Sequence, residues 1–154
     1  MRKGRLPTYA CAALIDPNGR VLLTGVHDFW SKKPYVQISR EAYIPKGQGA
    51  DDELERELTH TMGISLYKEN KFFYLDRHEK TTVSEIGLKR HVVLLTYKMT
   101  KGVSLEIYSS LIDYARFMTI EQLNDALVKN SIGITSQSAE MVCRLNILKN
   151  ENKI

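Results

Sequence analysis

The sequence predicts an α/β domain, and three observations carry that expectation. Residues 8–15, TYACAALI, and 20–25, RVLLTG, are apolar runs of strand length. They are joined by Asp16-Pro17-Asn18-Gly19, a turn that uses the fixed φ of proline and an Asn-Gly pair behind it. Residues 91–99, HVVLLTYKM, are nearly continuous in apolar character, which is the pattern of a central strand buried on both faces. Between these runs lies 44–64, IPKGQGADDELERELTHTMGI, where a Pro-Lys-Gly turn leads into a helical spacing and a glycine stop.

The elements follow in order. After the first hairpin, residues 26–39 are less regular and contain Trp30, Lys32, Lys33, Pro34 and Tyr35. Lysines beside aromatics suit a phosphorylated, base-bearing ligand, because every base has a face that stacks on an aromatic ring. Trp30 and Lys33 are therefore candidate substrate contacts; the plainer expectation is a surface loop whose Trp30 plugs the core. Residues 40–44 read as a short strand, and Tyr43 there, like Phe72 later, is expected to pack in the core.

Within 44–64, Gly49 gives a second flexible point. Asp51 and Asp52 fall where a helix start favours acidic residues and a side-chain cap. The helix is expected to run through Glu53 to about Met62, with Gly63 in the left-handed stop position and Ile64 closing it by an apolar contact. At about 100° per residue, Leu54, Leu58 and Met62 make one apolar stripe. Glu53, Glu57 and His60 fall in a neighbouring arc, with Arg56 beside His60.

Residues 66–75, with Phe72, Phe73 and Tyr74, read as a strand. Arg77-His78-Glu79-Lys80 and Lys89-Arg90-His91 flank an apparent loop, and pairing of the strands on either side would bring both clusters to one edge. Arg77, Lys89 and Arg90 are thus candidates for holding an anionic ligand. Lys101-Gly102 is a turn, and 105–107 and 115–118 are short strand candidates. Thr119 with Gln122 three residues on forms a capping box that opens a helix. Residues 136–148 read as a last helix with Met141, Leu145 and Leu148 on one face, and the polar tail 149–154 is expected to fray.

The 154 residues suit a single domain spanning 1–154, with 43% hydrophobic and 26% charged residues. No apolar run reaches the length that crosses a bilayer, so no membrane partner is expected. Net charge is +4 and the isoelectric point about 9.0, a mild bias toward anionic partners. The basic start, Met1 to Arg5, lacks the apolar stretch of a secretory signal. Cys11 and Cys143 have no metal spacing and read as buried thiols of a reducing, cytoplasmic setting, an organelle being the alternative.

Residues 56–64, RELTHTMGI, resemble the end of the Nudix box, G-x5-E-x7-R-E-U-x-E-E-x-G-U, with U a bulky apolar residue. Arg56, Glu57, Leu58, Gly63 and Ile64 stand in register. The Pro-Lys-Gly before them resembles the loop entry of the subgroup acting on diadenosine polyphosphates, capped RNA or inositol pyrophosphates. The opening hairpin and the segment 117–123 resemble other parts of the same family. The resemblance implies a Nudix-type (MutT-like) fold, a mixed β-sheet flanked by helices as an α/β/α sandwich. It also implies cleavage of a diphosphate linkage with magnesium or manganese. The box is degenerate: its adjacent glutamate pair falls on His60 and Thr61, the loop is short, and strict spacing puts the first box glutamate at Gln48.

Hard divalent ions need several carboxylate oxygens held together. Threonine brings no charge, and histidine is a softer donor. Two readings stay open. In the first, the chain binds a nucleotide or RNA through Lys46, Arg56 and the basic clusters without efficient hydrolysis, with no metal required, and acts with a protein partner. In the second, it is a divergent hydrolase of nucleoside polyphosphates or RNA 5′ pyrophosphates. Its catalytic residues would be Arg56 and Glu57, and its metal ligands Glu53, Glu57 and His60, since Glu57-x-x-His60 is a ligand spacing used on helices. Glu85 or Glu106 would add a carboxylate. A scaffold subunit is a third reading. The plainer roles are a solvated helix face for Glu53, Glu57 and His60, a loop brace for Arg56 and Glu57, and a solvated turn for Lys46.

Overall fold

The computed structural model describes residues 6–26, 35–83 and 86–154. Trp30, Lys32, Lys33 and Glu85 lie outside the described residues. The strands are β1 (Thr8–Ile15), β2 (Val21–Val26), β3 (Tyr35–Ile38), β4 (Arg40–Ile44), β5 (Phe72–Val83), β6 (Lys89–Met99), β7 (Ile112–Met118) and β8 (Gly133–Ile134). The helices are α1 (Ala50–Met62), α2 (Ile120–Val128) and α3 (Ser136–Asn150). All the described strands join one mixed sheet, in the order β5-β6-β1-β2-β3-β8, with β4 added to β1 and β7 to β2.

β1 is the axis of this sheet, and its composition explains why. Ala10, Ala12 and Leu14 point to one core with Leu54, Leu58 and Met62 of α1. Cys11, Ala13 and Ile15 point to a second core with Met141, Val142 and Leu145 of α3 and Leu123 of α2. A strand that is apolar on both faces suits the middle layer of a sandwich. The expected α/β/α arrangement is therefore the observed one.

β6 runs parallel to β1 along all of Thr8–Ile15 and fills one of its edges. The other edge is shared. β4 pairs with Thr8 to Ala12, and β2 meets β1 only at the hairpin, Ile15 with Val21. β1 and β2 therefore part after their turn. The wedge between them is filled by one bent strand whose first half, β3, pairs with β2 and whose second half, β4, pairs with β1. The corner is Ser39, a buried non-glycine residue with φ of 45°. Its hydroxyl accepts from the Leu14 amide at 2.9 Å and donates to the Leu22 carbonyl at 2.9 Å, so it bridges the two strands where they separate. Its amide also donates to Leu22 and its carbonyl accepts from the Thr24 hydroxyl. These bonds offset the strain of a left-handed residue.

α1 stops as its glycine demands. Gly63 has φ of 65°, its amide donates to Leu58 and Thr59, and Ile64 donates back to Leu58. The expected side-chain cap at Asp51 or Asp52 does not form. The helix starts earlier, with Gly49 as its cap, so both aspartates sit inside the first turn and act through charge alone. The capping box at Thr119 and Gln122 forms as expected.

Several expectations need correction. The strand expected at 66–75 starts only at Phe72, with a 3-10 turn at Lys68–Asn70 before it, and β5 extends to Val83 because its polar half pairs residue by residue with β6. Residues 105–107 are not a strand, and β7 begins at Ile112. Phe72 is buried, but Tyr43 is 56% exposed, because it lies on the end of the sheet that α3 does not reach. Cys11 is buried while Cys143 is exposed. α3 continues to Asn150, Lys149 pairs with Glu121, and Ile154 packs on the second core, so the tail is held at both ends. No helix among the described residues is long and apolar enough to cross a membrane.

Replacing Ser39 with alanine strips the buried Leu14 amide of its partner. Ser39→Ala is expected to cost about 2 kcal/mol, read as a lower midpoint in urea unfolding with an unchanged slope.

Candidate functional site

The corner at Ser39 sends successive β4 side chains to opposite faces. Arg40, Ala42 and Ile44 face α1; Glu41 and Tyr43 face the α3 side with Tyr9 and Cys11. Two clusters result, one on each face, built around adjacent residues.

On the first face, α1 presents the acidic arc. Glu57 is engaged from the sheet by Arg40, whose Nη2 and Nε donate to Glu57 Oε1 at 2.6 and 3.2 Å. Arg40 is buried, with 8% of its side chain exposed, and also donates to Gln37 Oε1 at 3.0 Å. A charge-assisted pair with one partner out of water is strong and directional. Thr61 turns its hydroxyl back on the Glu57 carbonyl at 2.6 Å. Glu53 is buried, and its Oε1 accepts no hydrogen bond; Arg56 Nη1 lies 3.2 Å away, with 60% of the arginine side chain exposed. His60 is exposed.

This donor set does not fit a hard divalent ion. Among the described residues no three His, Cys, Asp or Glu side chains come together to hold a metal. The two carboxylates of the arc are each matched with an arginine, and the position beyond them carries a hydroxyl that faces the backbone. Glu106 is exposed near the C-terminal end of α1 and accepts from the Tyr108 hydroxyl.

On the second face lies a cavity of about 410 Å³ at the start of α3, walled by Tyr9, Tyr35, Glu41, Lys89, Arg90 and Gln137 among others. Arg90 stacks over Tyr9, its guanidinium carbon 5.5 Å from the ring centroid, and donates to Thr82 Oγ1. Glu41 closes the floor. The hydroxyls of Thr135 and Ser138 both donate to its Oε2, and the Ser138 amide also donates to the carboxyl. Glu41 thus caps α3 from a neighbouring strand, which explains why the N-cap Thr135 makes no cap bond of its own. Burial raises the Glu41 pKa, the effect outweighing the hydrogen bonds and the nearby Arg40 that favour the anion. Burial pushes the Cys11 thiol well up, so this buried sulfur is a poor nucleophile.

The structure groups some candidates and separates others. Lys89 and Arg90 meet at the cavity. Arg77 does not join them: it pairs across with Leu95 on the α1 face and binds Glu79 at 3.1 Å. Lys46 lines a second, smaller cleft with Tyr43 and Pro7. Glu53, Glu57 and Arg56 remain together on α1 without forming a metal cluster. Arg40, Glu41, Tyr9 and Gln137 were not singled out from sequence. The only local sign was two charged residues side by side in a short strand, which must send one to each face.

No family model and no curated protein matches the sequence. Solved structures do resemble the fold. A C. elegans Ap4A hydrolase matches with a TM-score of 0.64 at 12% identity, over 94% of this chain and 97% of that one. A Nudix hydrolase from M. smegmatis, RenU, gives 0.66 at 9%, over 96% and 86%. The NUDIX domain of Shewanella oneidensis NrtR, complexed with ADP ribose, gives 0.60 at 13%, over 97% and 90%. At such identities the likeness is one of fold.

The raised Glu41 pKa has a consequence for stability. As pH climbs above the ordinary carboxyl value of 4.5, the unfolded chain gives up this proton before the native state does. Native stability therefore falls through that window and levels off once the folded carboxyl has ionised. Glu41→Gln is expected to remove this component, visible as a flatter melting temperature against pH than wild type.

Proposed function

We propose that this Nudix-fold chain binds a nucleotide, or the terminal nucleotides of an RNA, without hydrolysing it efficiently. The observation that carries the reading is the pairing of Glu57 with buried Arg40. A guanidinium placed there supplies, from within the protein, the positive charge that a divalent ion would otherwise bring to this carboxylate. An ion would have to share this carboxylate with a cation that already offsets its charge through Oε1. No metal-dependent step is derived for these residues.

The cavity at the start of α3 suits the ligand's base. Its tyrosines offer stacking surfaces, and Lys89 and Arg90 offer charge to phosphate. Gln137 and Glu41 supply polar groups that can meet a base edge. The fold is one in which a structural relative has been seen with ADP ribose, and another is described as an Ap4A hydrolase. A bound but uncleaved nucleotide implies a reader, so the functional unit includes a protein partner.

One observation favours the hydrolase reading. Glu53 Oε1 is the only buried side-chain oxygen among the described residues that accepts no hydrogen bond. Its proximity to Arg56 already balances its charge, which leaves the binding reading ahead.

Titration calorimetry with ATP tests the proposal alongside product analysis in manganese. ATP is expected to bind, to weaken as salt rises, and to lose about tenfold in affinity in Arg90→Ala, the size of one charged contact. No turnover is expected. Turnover that vanishes in Glu57→Gln but survives in Lys129→Ala, an exposed residue that follows α2, would overturn the reading.

A further inference from the structure

The cavity at the start of α3 is not the end of the concave surface. A second cleft, about 320 Å³, adjoins it: Pro7 lines both, and Tyr43 and Lys46 line the second. The shared wall is aromatic. Tyr9, which lines the first cleft, and Tyr43, which lines the second, are cross-strand partners whose rings meet edge to face, 5.5 Å between centroids and 64° between planes. Arg90 stacks on Tyr9. Tyr43, Tyr9 and Arg90 thus form a row across β4, β1 and β6. The row lies beyond the first turn of α3, which begins over Cys11 and Glu41.

A cross-strand tyrosine pair can be merely a sheet brace. This one leaves Tyr43 56% exposed, beside the lysine that enters the α1 loop. A strand face that carries an open aromatic ring next to cationic groups is a means of stacking successive bases of a single strand.

We propose that Tyr43 is a second base-stacking subsite, and that the natural ligand is a single-stranded RNA end whose first base enters the cavity and whose second stacks on Tyr43. This rests on the nucleotide-binding reading above and narrows it from a mononucleotide to a strand. The close approach of the two aromatic positions suits bases joined by one phosphodiester. It does not suit two nucleosides held apart by a polyphosphate chain.

The test compares four probes on the full chain: AMP, adenosine 3′,5′-bisphosphate, the dinucleotide pApA, and diadenosine tetraphosphate. The bisphosphate carries the second phosphate without the second base, so it controls for charge. Wild type is expected to bind pApA roughly five- to hundredfold more tightly than the bisphosphate, the range for one base on an aromatic ring. Tyr43→Ala is expected to bring that ratio close to one while leaving AMP affinity unchanged, and Tyr43→Phe to keep the ratio. A melting temperature for each variant separates lost bracing from lost binding. Equal binding of pApA and the bisphosphate by wild type would overturn the subsite and leave the nucleotide reading standing. So would a ratio that survives in Tyr43→Ala. Diadenosine tetraphosphate binding more tightly than pApA would overturn the assignment to a strand. Failure of all four probes to bind would overturn both readings.

Discussion

The bend at Ser39 is the constraint on which the rest depends. Without it, one strand would run alongside β2 or β1 but not both, and the sheet could not splay. The serine hydroxyl holds the corner by bonding to both strands at the point of separation. Because side chains alternate after the corner, Arg40 is sent to α1 and Glu41 to α3. One local backbone event thus fixes both clusters: the ion pair that holds Glu57 and the carboxyl that caps the helix bordering the cavity. It also leaves the end of the sheet, with Tyr9 and Tyr43, uncovered by α3.

The Arg40–Glu57 pair changes what the α1 face can do. A carboxylate in the open, with others beside it, attracts a hard cation and loses little by binding it. A carboxylate already bonded through one oxygen to a buried guanidinium has its charge offset and holds a second cation less strongly. The likeness to known hydrolases is one of fold, and a fold does not by itself carry an activity.

Much of the fold could be read in advance where pattern and burial coincide. β1 and β6 are apolar on both faces, so their length and central place follow from composition. α1 was legible at its C-terminal end, because Gly63 is a strong stop; its start was read late, since Gly49 and not an aspartate caps it. β5 was read as 66–75 and so placed too early; its outer half alternates charged and polar residues, and only its pairing with β6 makes it a strand. The corner was not legible, since a left-handed serine carries no compositional sign and depends on bonds to Leu14 and Leu22. Tyr43 looked like a core residue because it stands in an apolar run; where α3 begins decided otherwise. Of the site, Arg56 and Glu57 were visible through the resemblance to the Nudix box, and the arc of Glu53, Glu57 and His60 through helical spacing. Arg40 and Glu41 were not, because each acquires its role from a partner far away in sequence, Glu57 in one case and Ser138 in the other.

The central claim is that an internal guanidinium, in place of a divalent ion, satisfies Glu57. Titrating manganese into the protein while following the electron paramagnetic resonance of the free ion tests it most directly. The account predicts that wild type and Glu57→Gln leave the same free manganese at every step. A tight site in wild type that disappears in Glu57→Gln would contradict it.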